Sequence, residues 1–102
     1  MTTVTCRMLG GLSDLTDASA TIQTICESVK SKVEQKTGKA YSIFIAKSYK
    51  SQIVSGTNYF IKVHVGGNDH IHIRVFQGLT QSGPELVSIK ESKTHDDEIE
   101  YF

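Results

Sequence analysis

Asn58-Tyr59-Phe60-Ile61-Lys62-Val63-His64-Val65 runs into Gly66-Gly67-Asn68-Asp69 and then into His70-Ile71-His72-Ile73-Arg74-Val75-Phe76-Gln77. Both flanking runs are rich in β-branched and aromatic residues, which suit a pleated, half-buried surface. In the second, Ile71, Ile73 and Val75 alternate with His72, Arg74 and Phe76, the period-two pattern of a strand with one buried face. The joint carries glycines and an Asn-Asp pair, residues that tolerate the positive φ of a tight reversal. Residues 58–65 and 70–77 are therefore predicted to form an antiparallel hairpin.

Further strands are predicted on either side. Upstream, residues 40–49 set Tyr41, Ile43 and Ile45 against Ser42, Phe44 and Ala46 in a mixed but extended pattern. Downstream, a polar break over residues 78–84 precedes Leu86 and Val87, which begin a last strand over residues 85–90. Pro84 lies in that break, where its missing N–H costs no ladder hydrogen bond.

A sheet with an apolar face needs a cover, and the chain supplies one before the strands. From Asp17 to about Thr37, Ile22, Ile25, Cys26, Val29 and Val33 fall on one helical stripe. Asp14, Thr16 and Asp17 are candidate caps, Lys32 and Lys36 lie near the end, and Gly38 offers a left-handed stop. Such a helix runs roughly 30 Å. The expected order is one long α-helix followed by four antiparallel strands, an α+β fold. Without internal repeats or Pro-rich linkers, residues 1–102 read as one domain, with 1–8 a flexible arm. Tyr101 and Phe102 are expected to dock against the body rather than stand in water.

Composition narrows the function classes. Lysine plus arginine and aspartate plus glutamate number 11 each, so no one-signed field attracts nucleic acid or an anionic membrane. Residues 1–10 lack the basic start and apolar run of a secretory signal, and no stretch approaches the roughly 20 apolar residues of a membrane span. A cytoplasmic location is expected, in which Cys6 and Cys26 stay thiols. Cys26, on the apolar stripe, reads as core, and Cys6 as an idle exposed thiol. His70 and His72 share a strand face with His64 on the hairpin partner, but histidines so placed are read as surface or edge residues. With no matching carboxylates, neither a metal site, a cofactor nor a catalytic residue is predicted. Asp96, Asp97 and Glu98 lack the spacing of a calcium loop.

The segment Lys50-Ser51-Gln52-Ile53-Val54-Ser55-Gly56-Thr57 is anomalous. It should reverse the chain between two strands, yet Ile53 and Val54 lie near the reversal, where polar residues are usual. Aliphatic residues there either fold back on the core or form a contact surface.

Gln52-Ile53-Val54-Ser55-Gly56 resembles the Gln-Val-Val-Ala-Gly signature of cystatins, and the likeness continues through Thr57-Asn58-Tyr59-Phe60-Ile61-Lys62-Val63. Leu9-Gly10-Gly11-Leu12-Ser13, Val75-Phe76-Gln77 and the ending His95-Asp96-Asp97-Glu98-Ile99-Glu100-Tyr101-Phe102 are similar to stefins, the intracellular type 1 cystatins, in the expected order. The resemblance implies a cystatin fold, with an antiparallel sheet of four to five strands wrapped around the helix. It also implies a reversible inhibitor of papain-like cysteine proteases, the cathepsins among them, that enters the active-site cleft as a three-part wedge. Its contacts would be Leu9, Gly10 and Gly11, then Gln52, Ile53, Val54, Ser55 and Gly56, then Leu79 and Thr80. Here Ser55 replaces the usual alanine, and Leu79-Thr80 stands where vertebrate stefins often carry Leu-Pro. The expected state is a monomer. The alternative is a cystatin-fold binding or domain-swapped assembly module with weak or no inhibition.

Overall fold

The computed structural model describes residues 11–80 and 82–102. Its elements in chain order are β1 (Thr16–Asp17), α1 (Ala20–Ser28), α2 (Lys30–Thr37), β2 (Ile45–Val54), β3 (Gly56–Gly66), β4 (Asp69–Gln77) and β5 (Glu85–Lys93). The strands form a single antiparallel sheet in the order β1-β2-β3-β4-β5. The α+β architecture thus agrees with the sequence reading, and the hairpin read first is β3–β4, with Ile61 opposite Ile73 and Val63 opposite Ile71.

The helical stripe meets one face of this sheet. Ile22, Cys26, Val29 and Val33 are buried against Ile61, Val63, Ile71, Ile73 and Val75. The single long helix expected from the stripe is two segments that meet at Val29, whose φ of −108° and ψ of 3° leave the helical region. Beside the break, Ser28 Oγ donates to the Ile25 carbonyl at 2.6 Å. A serine hydroxyl that bonds back to the preceding turn weakens and bends a helix. The stripe survives the break, since Ile22, Cys26, Val29 and Val33 all stay buried.

The helix also starts later than expected. Thr16 and Asp17 are not caps: they pair with Tyr49 and Ser48 as a short edge strand. Ser19 caps the helix instead, its Oγ accepting from the Ile22 N–H at 3.4 Å. At the other end Gly38, at φ 73°, adopts the left-handed conformation that stops α2.

Residues 40–44, expected as strand, are not. Tyr41 and Phe44 turn into the core ahead of β2, their ring centroids 5.7 Å apart. Gln23 of α1 fixes where β2 begins. Its Nε2 donates to the Phe44 carbonyl at 3.0 Å and its Oε1 accepts from the Ala46 N–H at 2.7 Å. One residue on, the register shifts between Ala46 and Ser48, so that both Ala46 and Tyr49 pack on the helix side.

The opposite face of the sheet is covered as well. Phe60 is fully buried there, with the Tyr101 and Phe102 rings at 5.5 and 5.7 Å, so the ending docks as expected. Lys50 Nζ donates to the Ile99 carbonyl at 2.9 Å, and Lys62 Nζ donates to the His95 carbonyl. This second layer corrects the reading of the histidines as surface residues: His70 and His72 are buried. Burial, reinforced by Lys62 and Lys93, holds His72 down to about 4. The Cys26 thiol, also buried, is pushed up to about 12 by desolvation, as befits core packing.

Candidate functional site

The hairpin β2–β3 carries its ladder to the very end. Gln52 pairs with Asn58, Ile53 with Thr57 and Val54 with Gly56, which leaves Ser55 alone at the reversal. The broad turn read over residues 50–57 is therefore strand almost throughout, as the β-branched Ile53 and Val54 favour. Of the two outcomes weighed for these aliphatic residues, the projecting one holds. Ile53 is 76% exposed and Val54 48%, so neither folds back on the core.

Gly56 is indispensable to this geometry. Its φ is +116°, and a Cβ placed there would meet the Gln77 carbonyl oxygen at 2.5 Å and Gly78 Cα at 2.9 Å. The absence of a side chain lets the hairpin tip lie against the exit of β4, and thereby against the loop that follows. In that loop Leu79 is 83% exposed and Thr80 is also exposed.

The other flank of the hairpin meets the chain's early residues. The Ser13 N–H donates to the Ser51 carbonyl at 2.8 Å, and the Ser51 N–H returns the bond to Ser13 Oγ at 2.9 Å. Gly11 and Leu12 are thus carried to the base of the tip, with Gly11 exposed. Leu9 and Gly10, like Met8 and Cys6, lie outside the described residues.

Of the first segment named from sequence, 9–11, the described residue Gly11, followed by Leu12 and Ser13, therefore shares one end of the sheet with the tip 52–56 and with 79–80. None of these residues carries an ionisable side chain. Such an edge supplies no general acid, base or charged clamp, and it can act by shape, apolar contact and backbone hydrogen bonds. Among the described residues, no group of three or more His, Cys, Asp or Glu side chains is arranged to hold a metal ion.

Two residues behind this edge escaped the sequence reading. Gln52 Oε1 accepts from Asn58 Nδ2 at 2.9 Å, and Asn58 Oδ1 accepts from Arg74 Nε at 3.2 Å. The available signal was strand parity, since Gln52 lies opposite Asn58 and Asn58 opposite Phe76, two places from Arg74. The bonds themselves depend on side-chain direction, which parity alone does not give.

Comparison with known proteins places this architecture among relatives. Residues 10–96 match the cystatin domain family. The chain is 52% identical to cystatin-B of Oplegnathus fasciatus over 97 residues, covering 93% of this chain and 97% of that protein. It is 50% identical to leukocyte cysteine proteinase inhibitor 1 of Sus scrofa, covering 93% and 94%. To stefin-C of Bos taurus it is 45% identical, covering 92% and 95%.

Proposed function

The chain belongs to the cystatin family, in its stefin group, whose members are protease inhibitors and not enzymes, and on that premise we propose a reversible, competitive, tight-binding inhibitor of papain-like cysteine proteases. Its partners would be cathepsin-type enzymes, met by a monomer in the cytoplasm. The observation that carries this reading is the convergence of three uncharged segments on one end of the sheet, with Ile53 and Leu79 as its most exposed large apolar side chains. A cleft shaped for an extended peptide accepts aliphatic and backbone surface more readily than charge.

In this reading Leu9, Gly10 and Gly11 enter one side of the cleft, where the glycines allow backbone to pass the catalytic cysteine without a Cβ clash. Gln52, Ile53, Val54, Ser55 and Gly56 fill its centre, and Leu79 and Thr80 the far side. Burying Ile53 or Leu79 against the enzyme contributes about 1.5–3 kcal/mol each. Hydrolysis is avoided because the wedge sits beside the thiolate and offers it no carbonyl in line for attack. The stiff ladder on either side of Ser55 loses little freedom on docking, which favours affinity over that of a flexible peptide.

Titration of papain with the purified, reduced protein tests the proposal, with a fluorogenic peptide as substrate and a serine protease as control. Stoichiometric loss of papain activity alone is expected. Full papain activity in the presence of excess folded monomer would overturn it. Size-exclusion chromatography separates the domain-swapped alternative, which elutes early and leaves papain active.

A further inference from the structure

Ser13 meets β2 in an exchange of hydrogen bonds that is regular on one side only. Its N–H donates to the Ser51 carbonyl at 2.8 Å, as in an antiparallel pair, but the Ser51 N–H returns its bond at 2.9 Å to Ser13 Oγ rather than to the Ser13 carbonyl. A side-chain oxygen thus occupies the place of a main-chain one. The other contacts of this hydroxyl follow from which groups can give a proton. The Asp14 carbonyl at 3.1 Å can only accept, so the single Ser13 proton goes there, and Ser51 Oγ at 3.3 Å donates. The one proton and both lone pairs of Ser13 Oγ are then engaged.

This surrogate bond falls where the chain parts from the sheet. After Ser13 the chain stays on β2, with Thr16 opposite Tyr49, Asp17 opposite Ser48, and the Ala18 N–H donating to the Lys47 carbonyl at 3.1 Å. Thr16 Oγ1 donates to the same Asp14 carbonyl at 3.3 Å, so two hydroxyls hold the one bend between them. Before Ser13, Gly11 and Leu12 carry no strand pairing, although β2 itself continues past Ser51 to Val54. Pairing along this edge ends at the residue whose side chain has taken its carbonyl's place in the ladder.

We propose that Ser13 is a positioning residue, whose hydroxyl fixes the point and the direction in which the first binding segment leaves β2 for the edge it shares with the hairpin tip. This role rests on the inhibitor reading and extends it. Ser13 acts through Gly11 and the residues before it, not by touching the enzyme. A segment fixed at its root loses less freedom on docking than one that swings, which favours affinity.

Ser13→Ala removes the surrogate acceptor and Ser13→Thr keeps it. In the free protein the Ser51 amide hydrogen should exchange with deuterium about tenfold faster in Ser13→Ala, and at about the parent rate in Ser13→Thr. Ser13 is exposed, so both melting temperatures should stay within about 3 °C of the parent. The inhibition constant for papain should rise about tenfold in Ser13→Ala and stay within about twofold of the parent in Ser13→Thr. In a Gly10→Glu background, where by the inhibitor reading the first segment no longer fits the cleft, Ser13→Ala should cost less than about threefold. In a Leu79→Ala background it should cost the full tenfold or so.

Equal fold-changes in all three backgrounds would mean that Ser13 meets the enzyme directly and would overturn the positioning role. An unchanged Ser51 exchange rate in Ser13→Ala, or a Ser13→Thr protein as weak as Ser13→Ala, would overturn it as well. A parent protein that leaves papain active while Ser51 exchange quickens in Ser13→Ala would preserve the surrogate bond and overturn the inhibitor reading, and with it the role of Ser13 in binding.

Discussion

Gly56→Ala is the most informative single substitution in this fold. The new Cβ would lie 2.5 Å from the Gln77 carbonyl oxygen, 2.9 Å from Gly78 Cα and 3.0 Å from the Phe76 ring, where ordinary contact begins at 3.4 Å. The two nearest atoms are backbone, so no rotamer change relieves them. Holding a non-glycine residue at φ +116° costs about 1–3 kcal/mol. Overpacking of a tight contact adds about 1–3 kcal/mol more. The sum, about 4 kcal/mol, corresponds to a fall in melting temperature of about 15–30 °C for a chain of this size. Gly66→Ala separates the two contributions, since Gly66 has φ +130° but nothing within 4 Å of its Cβ. It should lose only about half as much stability. Thermal unfolding followed by circular dichroism gives both values, and papain titration below the transition gives the functional cost. Separating the tip from the second loop should weaken inhibition by at least about tenfold, as for loss of one good contact. Equal destabilisation by the two substitutions, or a Gly56→Ala protein within about 3 °C of the parent, would refute the close-approach reasoning.

Two further outcomes are expected. Gln23→Ala removes the side chain that bonds both the Phe44 carbonyl and the Ala46 N–H, and should cost about 1–3 kcal/mol in urea unfolding without changing papain inhibition. For His72 the folded pKa is depressed from 6.5 to about 4, so its contribution is present above pH 6.5 and is lost as pH falls toward 4. The loss is about 3 kcal/mol, and a His72→Gln protein should show a flatter decline in urea midpoint over that window, with Lys62, Lys93, Asp97 and His70 left in place.

How far the sequence revealed this structure depends on how local each cause is. The stripe Ile22, Cys26, Val29, Val33 and the ladder Ile71, Ile73, Val75 were legible because periodicity and burial coincide in them. The apolar tip at Ile53 and Val54 was legible as an anomaly. Thr16–Asp17 was not read as strand because two residues carry no period, and Asp17 looks as much like a cap as Ser19 does. Tyr41 and Phe44 mimic strand alternation, but the Phe44 carbonyl is held by Gln23, twenty-one residues away along the chain, and Tyr41 by Glu34 and Thr37 of α2. The buried histidines were misread because their cover arrives from the distant closing segment. The approach of Gly56 to Gln77 and Gly78 is a tertiary fact with no local signature.

That closing segment bears on how the protein is made. Strands β2 to β5 each pair with the strand next in sequence, so the meander can assemble from short-range contacts and should form quickly. The bond from Lys50 to the Ile99 carbonyl spans 49 positions. During synthesis Phe60 and its surroundings therefore stay wet until residues 99–102 have left the ribosome. A chain stalled or clipped before that point carries a finished hairpin tip above an uncovered aromatic face, and such a face is a site for self-association.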